Sequence, residues 1–339
     1  MKLFGKDLAT DVVFVAEIGV NHEGNLDKAL ELLRAAAGAG ADAVKFQSFT
    51  PHRYVTPAET ERFKRVSGFQ LDREAHDSLV AEASRLGVHF LSAAISEDWV
   101  PYIAEHSEAV KIASGDLNFE PVIRAAAATG RPVILSVGLG TLEEIDRAVD
   151  WVRAEVGTAA LGERLVLLHC VTAYPTPIEQ ANVRNIPFLR ERYGLVVGYS
   201  NHVIGPEACY AAAALGAPLF EVHFTDQKTG RSFRDHALSF EAQDLADLIT
   251  RVTLIRASLG VPGATRQPAE AGNLASMRKG ITAARELAAG TVLTRADLAF
   301  ARPQIGFGCT EVDRLIGRRL VAAVGSGHPL LPDQMAGPQ

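Results

Sequence analysis

Cysteine is scarce in this chain of 339 residues, where only Cys170, Cys209 and Cys309 occur. They form no CxxC motif and an odd number cannot all pair, so a reduced, cytoplasmic protein is expected. No apolar run approaches the roughly 20 residues that a membrane-spanning helix needs. The opening "MKLFGKDLATD" lacks the basic-then-apolar layout of a signal peptide. Basic residues are outnumbered, 34 Lys and Arg against 40 Asp and Glu, and the signs are interspersed. That excludes a basic stripe for nucleic acid. No GxGxxG follows the first β-rich run, which argues against a dinucleotide-binding open sheet. What is present is a chain 47% hydrophobic, with room for one large domain, or one large and one small.

Short β-rich runs alternate with longer alanine-rich helical patterns, the mark of βα units on a parallel sheet. The strand candidates are 12–20, 43–49, 89–95, 109–114, 132–138, 165–171, 195–200 and 218–225. Helix candidates between them include 26–37, 73–86 and 142–154, the last with Thr141 as its cap ahead of Glu143 and Glu144. Eight such units over about 250 residues have the count and size of a (β/α)8 TIM barrel. The barrel is expected over 1–260, a Gly/Pro/Ala-rich linker over 261–275 and a small domain over 276–339. "GTVLTRADLAF" and "RRLVAAVGSGHPLL" supply short strands to the small domain.

Barrels place chemistry at the C-terminal ends of their strands. Read in order, those ends carry Glu17 and Glu23, Lys45 and Gln47, Ser92, Lys111 and Ser114, and Ser136. They continue with His169, Thr172 and Tyr174, then Ser200, Asn201 and His202, then Glu221 and His223. Strand ends must be wet somewhere, so each residue alone is unremarked; eight polar ends in succession point to one site. Lys45 and Lys111 with Ser114, Ser136 and Ser200 supply cations and hydroxyl donors, the set that holds a phosphate and a carboxylate. A Schiff-base lysine is the alternative. His202 and His223, at neighbouring ends, can share one divalent ion as neutral imidazoles. His169 reads as a hydrogen-bonded core residue.

The stretches "AEIGVNHEGN", "AGADAVKFQSF", "KIASGDLN", "RPVILSVGLGTLEEI", "LLHCVTAYPTP", "VGYSNHVIG", "EVHFT" and "RPQIG" together resemble the sialic acid synthase family. Its members are phosphoenolpyruvate-dependent synthases of nonulosonic acids. The resemblance runs in order along nearly the whole chain, and the small domain resembles the family's antifreeze-like (SAF) domain. It implies a barrel that condenses phosphoenolpyruvate with the open-chain aldehyde of an N-acylated hexosamine such as N-acetylmannosamine. The products would be a 2-keto-3-deoxy nine-carbon acid and phosphate. It implies a divalent metal, manganese foremost with magnesium or cobalt as alternatives, on His202 and His223. Lys45, Lys111, Ser114, Ser136 and Ser200 would hold phosphoenolpyruvate, while Gln47 and Tyr174 line the site. Glu23 would handle a proton or water, and Asp235 in "FRDH" would contact the amino sugar. Arg302 would reach the partner's sugar in a domain-swapped homodimer.

The chain departs from the family pattern mainly on the acceptor side. "LSAAI" (91–95) stands where Ser-Thr-Pro-Phe is usual, Asn201 replaces an aspartate before the ligand histidine, and Gln304 replaces a glycine. Thr172 and Ala173 alter the neighbourhood of the phosphoenolpyruvate carboxylate. The loop before Asp235 lacks the usual Gly-Pro.

Overall fold

The computed structural model describes residues 1–336. The chain divides into two compact units, one of Met1–Gly260 and one beginning at Val261.

The first unit is a closed barrel of eight parallel strands. They are β1 (Val13–Gly19), β2 (Ala43–Ser48), β3 (His89–Ala94), β4 (Val110–Ile112), β5 (Val133–Ser136), β6 (Leu165–His169), β7 (Val196–Asn201) and β8 (Leu219–His223). Each is followed by a helix: α1 (Leu26–Gly38), α2 (Arg73–Leu86), α3 (Val100–His106), α4 (Glu120–Ala128), α5 (Leu142–Val156), α6 (Asn185–Tyr193), α7 (Glu207–Ala214) and α8 (Ala242–Ser258). Asn25 caps α1, Asp72 caps α2, and Thr141 with Glu144 forms a capping box on α5.

The strands explain their own sequence by parity, because side chains alternate between the two faces. On β1, Phe14, Ala16 and Ile18 join the large core between barrel and helices. Val13 and Val15 point inward and join a second core inside the barrel with Ala43, Leu91, Ala109, Ile134, Val166, Leu168 and Leu219. Leu3, Phe4 and Leu8 pack into that inner core. They come from a two-stranded hairpin (Lys2–Leu3 with Lys6–Asp7) that precedes β1 and plugs the N-terminal end of the barrel. The inward series on β1 is therefore Val13, Val15, Glu17, with apolar layers below and a polar one above.

Between β2 and α2 the chain builds two further helices, Pro51–Tyr54 and Thr60–Phe69, which the sequence reading does not anticipate. The second is largely polar and buries only Val66, so it has little periodic signal of its own. It is fixed by contact: Gly24 has φ +82°, and a Cβ there would lie 2.0 Å from the Gly68 carbonyl oxygen. Among the described residues no helix is long and apolar enough to cross a membrane. Cys170, Cys209 and Cys309 are all free.

The second unit has its own core, with Ile281, Leu287, Leu293, Leu298, Leu315, Leu320 and Leu330 among its buried residues. β9 (Gly280–Ala283) pairs antiparallel with β10 (Leu298–Ala301). The stretch expected to give strands near 318–331 makes only isolated bridges, such as Val292 with Arg319 and Leu287 with Val324. Glycines and a proline interrupt it before a ladder can extend. The expected plain linker carries a 3-10 helix at Pro268–Asn273 and one α-helical turn at Leu274–Met277.

Candidate active site

A cavity of about 1010 Å³ opens at the C-terminal end of the barrel. Parity decides which polar residues face it. Glu17 of β1, Lys45 and Gln47 of β2, Lys111 of β4 and Ser136 of β5 line it, as do Ser200 and His202 from the β7 end and Glu221 and His223 of β8. Ser114, Thr172, Tyr174 and Asp235 join from the loops. Register sets them side by side: Glu17 lies opposite His223 on one flank and Lys45 on the other, and Glu221 lies opposite Ser200.

Of the barrel residues given a role in the site from sequence, Glu23 is the one that does not line this cavity. Glu23 sits in the β1–α1 loop at φ +51°, a conformation that turns its carboxylate sideways, where Oε1 lies 3.2 Å from His236 Nε2. The acids that the barrel strands present are Glu17, two strand positions beyond Val15, and Glu221. Gly19 makes room for the first, since a Cβ at that residue would lie 2.9 Å from Glu17 Oε1. Arg302 belongs to the second unit, just after β10.

The floor is a buried ion cluster. Lys45 Nζ lies 2.5 Å from Glu17 Oε2 and 3.6 Å from Glu221 Oε2; Lys111 Nζ lies 3.8 Å from the same Glu221 oxygen. Lys111 donates to Ser136 Oγ at 2.8 Å, Ser200 donates to Glu221 Oε1 at 3.0 Å, and Ser114 and Thr172 share a hydrogen bond of 2.8 Å. Burial pushes the Glu17 carboxyl up to about 7, against the pull of Lys45 and with help from Glu221. Burial works on Glu221 in the same sense, but Lys111 and Lys45 outweigh it and hold that carboxyl below its usual range. Burial, joined by the like charge of Lys45, lowers Lys111 against the pull of Glu221, while Lys45 is held protonated by Glu17 and Glu221 against the same penalty. Two lysines thus face two carboxylates, one of which readily takes a proton, so an entering anion meets incompletely neutralised cations.

Beside this floor stand the two imidazoles, ring centroids 5.4 Å apart. His202 Nδ1 lies 2.6 Å from the Val171 carbonyl oxygen and must donate to it, which leaves Nε2 as an acceptor. Burial lowers His202 to about 4 and His223 well below its usual value, so both are neutral near pH 7. Two neutral imidazoles, His202 with its tautomer fixed, fit a divalent transition ion. Among the described residues no three His, Cys, Asp or Glu side chains form a metal cage by themselves. An ion on this pair would keep positions open for substrate and water.

The outward-parity residues lie elsewhere. Asn201, the departure beside His202, caps a turn through Val203 O and N at 2.8 and 3.3 Å and does not line the cavity. His169 bonds the Ala181 carbonyl at 2.8 Å, as expected for a core histidine. Behind the strands Ser92 bonds Ser48, which in turn bonds His76. The cavity wall adds groups the sequence reading passed over: Asp116, pushed up to about 6 by burial; Tyr54, whose hydroxyl burial raises while Arg62 opposes; and Arg62 and Arg65 themselves.

Fold and site together define a (β/α)8 barrel with a pocket lined by lysines, serines and histidines at the C-terminal ends of its strands. The chain belongs to the NeuB family, whose pattern matches residues 32–263; a SAF domain matches residues 278–336. It is 31% identical to an N,N'-diacetyllegionaminic acid synthase of Legionella pneumophila over 94% of this chain and 92% of that protein. It is 29% identical to the human N-acetylneuraminate-9-phosphate synthase, with 94% of this chain and 91% of that protein covered. Among solved structures, the N-acetylneuraminic acid synthetase of Leptospira borgpetersenii in complex with citrate superposes with a TM-score of 0.73. Its identity is 31%, over 78% of this chain and 90% of that one.

Proposed function

We propose that this barrel joins phosphoenolpyruvate to the open-chain aldehyde of an N-acylated hexosamine, giving a 2-keto-3-deoxy nine-carbon acid and inorganic phosphate. The observation that carries the reading is the buried floor of Lys45, Lys111, Ser136 and Ser200 beside two neutral imidazoles, in a chain whose relatives are synthases of such acids.

The chain's own residues divide the work. Lys45 and Lys111 neutralise the carboxylate and phosphate, and the serine hydroxyls orient them. Gln47, Tyr174 and Asp235 face the remaining volume, where the sugar lies. The new carbon–carbon bond forms between C3 of phosphoenolpyruvate and the aldehyde carbon, whose oxygen takes up a proton. Water then adds at C2 and Glu17 accepts one of its protons; the bond from C2 to the ester oxygen breaks as the C2 hydroxyl becomes the ketone, its proton leaving with inorganic phosphate. Glu17 suits that role because burial brings its proton affinity near neutrality. A divalent ion on His202 and His223, manganese first and magnesium or cobalt otherwise, supplies Lewis-acid polarisation of the aldehyde oxygen. We extend the reading to a cytoplasmic homodimer in which Arg302 serves the partner's acceptor.

The test is mass spectrometry for the keto acid, with phosphate release, on mixing phosphoenolpyruvate with a panel of aldoses. A single acceptor yielding acid and phosphate in equal amounts is expected. Phosphoenolpyruvate that binds, with no acid from any aldose, would sink the reading. Metal analysis should find about one ion per chain, lost in His202→Ala or His223→Ala with the circular dichroism spectrum retained. Equal metal content in either variant contradicts the ligand assignment.

A further inference from the structure

The helix Thr60–Phe69 turns one face to the cavity. Arg62, Arg65, Val66 and Phe69 all line it, at spacings i, i+3, i+4 and i+7 that share a single helical stripe. The helix is docked, not free: Val66 packs with Val20, Phe49 and Ile95, and Phe69 meets Phe233 edge-on at 5.3 Å. Gly24 lets the β1–α1 loop touch its last turn. The two guanidinium groups are therefore carried on a positioned element.

Charge accounting shows what is left over. Lys45 and Lys111 face Glu17 and Glu221, and Arg234 lies 3.4 Å from Asp235. Arg62 and Arg65 form no ion pair among the described residues, although both border the cavity; the one lining carboxyl likewise without an ion pair is Asp116, so the two guanidinium groups outnumber it. They line the cavity together with Tyr54, and Phe49 and Val66 add apolar surface to the same lining. One anion is answered by the floor. A second anion entering the cavity would meet two guanidinium groups not committed to an ion pair.

We propose that the acceptor sugar carries an anionic substituent, a phosphate ester or a carboxylate, at the end remote from its aldehyde, and that Arg62 and Arg65 grip it. This rests on the synthase reading and names its substrate class. Two guanidinium forks one helical turn apart match the oxygens of either group.

The experiment compares kcat/KM for N-acetylmannosamine, its 6-phosphate and its 6-carboxylate (the uronic acid), each with phosphoenolpyruvate, reading keto acid by mass spectrometry. The expected result is a preference of ~10- to 100-fold for one anionic acceptor over the neutral sugar. Whichever anion leads identifies the substituent. In the double variant R62Q/R65Q, checked for folding by its melting curve, that ratio should fall towards one through the KM for acceptor. R62K/R65K should restore part of it. A neutral sugar preferred by the native chain overturns the proposal, as does a preference that survives R62Q/R65Q. So does a loss confined to the KM for phosphoenolpyruvate, which would make the arginines part of the other subsite. Keto acid from none of the three sugars overturns the synthase reading itself, and this inference with it.

Discussion

A carboxyl group sealed in the barrel 2.5 Å from Lys45, with its proton affinity raised from 4.5 to about 7, weakens the fold in its ionised form. The unfolded chain ionises Glu17 near 4.5 and the folded chain near 7. Its contribution to stability is therefore fully present below about pH 4.5 and is lost as pH rises through about 7, on the order of 3 kcal/mol in all. Glu17→Gln removes that dependence. The metal-free variant should be more stable than the native chain at pH 8 by about 1–3 kcal/mol in denaturant titration, with the gap closing below pH 4.5. Its turnover should fall by ~10²-fold or more. A variant that is less stable at pH 8, or that turns over normally, contradicts the role assigned to this residue. Lys45→Met and Lys111→Met act differently, because each removes a cation from a buried anion site. Binding of phosphoenolpyruvate should weaken by about 2–5 kcal/mol in calorimetry. Unchanged affinity would move the anion site elsewhere, and a borohydride-trapped imine would make the lysine a nucleophile.

At the scale of elements, the strands announce themselves because all eight are buried on both faces and six of them end at glycine or a polar residue; their observed limits fall within a few residues of those read from sequence. The site was legible to the same extent, since Lys45, Lys111, Ser136, Ser200, His202 and His223 sit at strand ends. What pattern alone missed is parity. Counting by twos from Val13 reaches Glu17, whereas Glu23 lies past a loop whose positive φ no periodicity predicts. Parity likewise separates Asn201, facing away, from Ser200 and His202, facing in. The helix Thr60–Phe69 was invisible because its stability comes from partners distant in sequence. Gly24→Ala tests that dependence: a Cβ would strike the Gly68 carbonyl and must adopt φ +82°. A loss of about 1–3 kcal/mol in stability and a raised KM for acceptor are expected, with the barrel's circular dichroism intact. Unaltered kinetics would show that this helix does not shape the pocket.

For the whole molecule, the two-unit organisation could be read from the change of texture after α8, but what the second unit does could not. Its strands are short and Arg302 belongs to no periodic pattern. Our proposal that Arg302 acts on a partner is open to complementation. Glu17→Gln chains and Arg302→Ala chains, each inactive alone, are unfolded and refolded together. Restored activity is expected, because one site per mixed dimer then has both residues intact. A mixture as inactive as its components would place Arg302 in its own chain's service.

The hairpin of Leu3, Phe4 and Leu8 stops the barrel at one end, and that turns a static detail into a rule of traffic. A chamber with one door must be filled from the back. Whatever rests on the lysine floor has to enter before the molecule that stands between it and solvent, and has to wait for that molecule's product to leave. Phosphoenolpyruvate should therefore bind first, and acceptor in excess should jam the doorway ahead of it. In steady-state measurements such jamming appears as inhibition by high acceptor that rising phosphoenolpyruvate relieves.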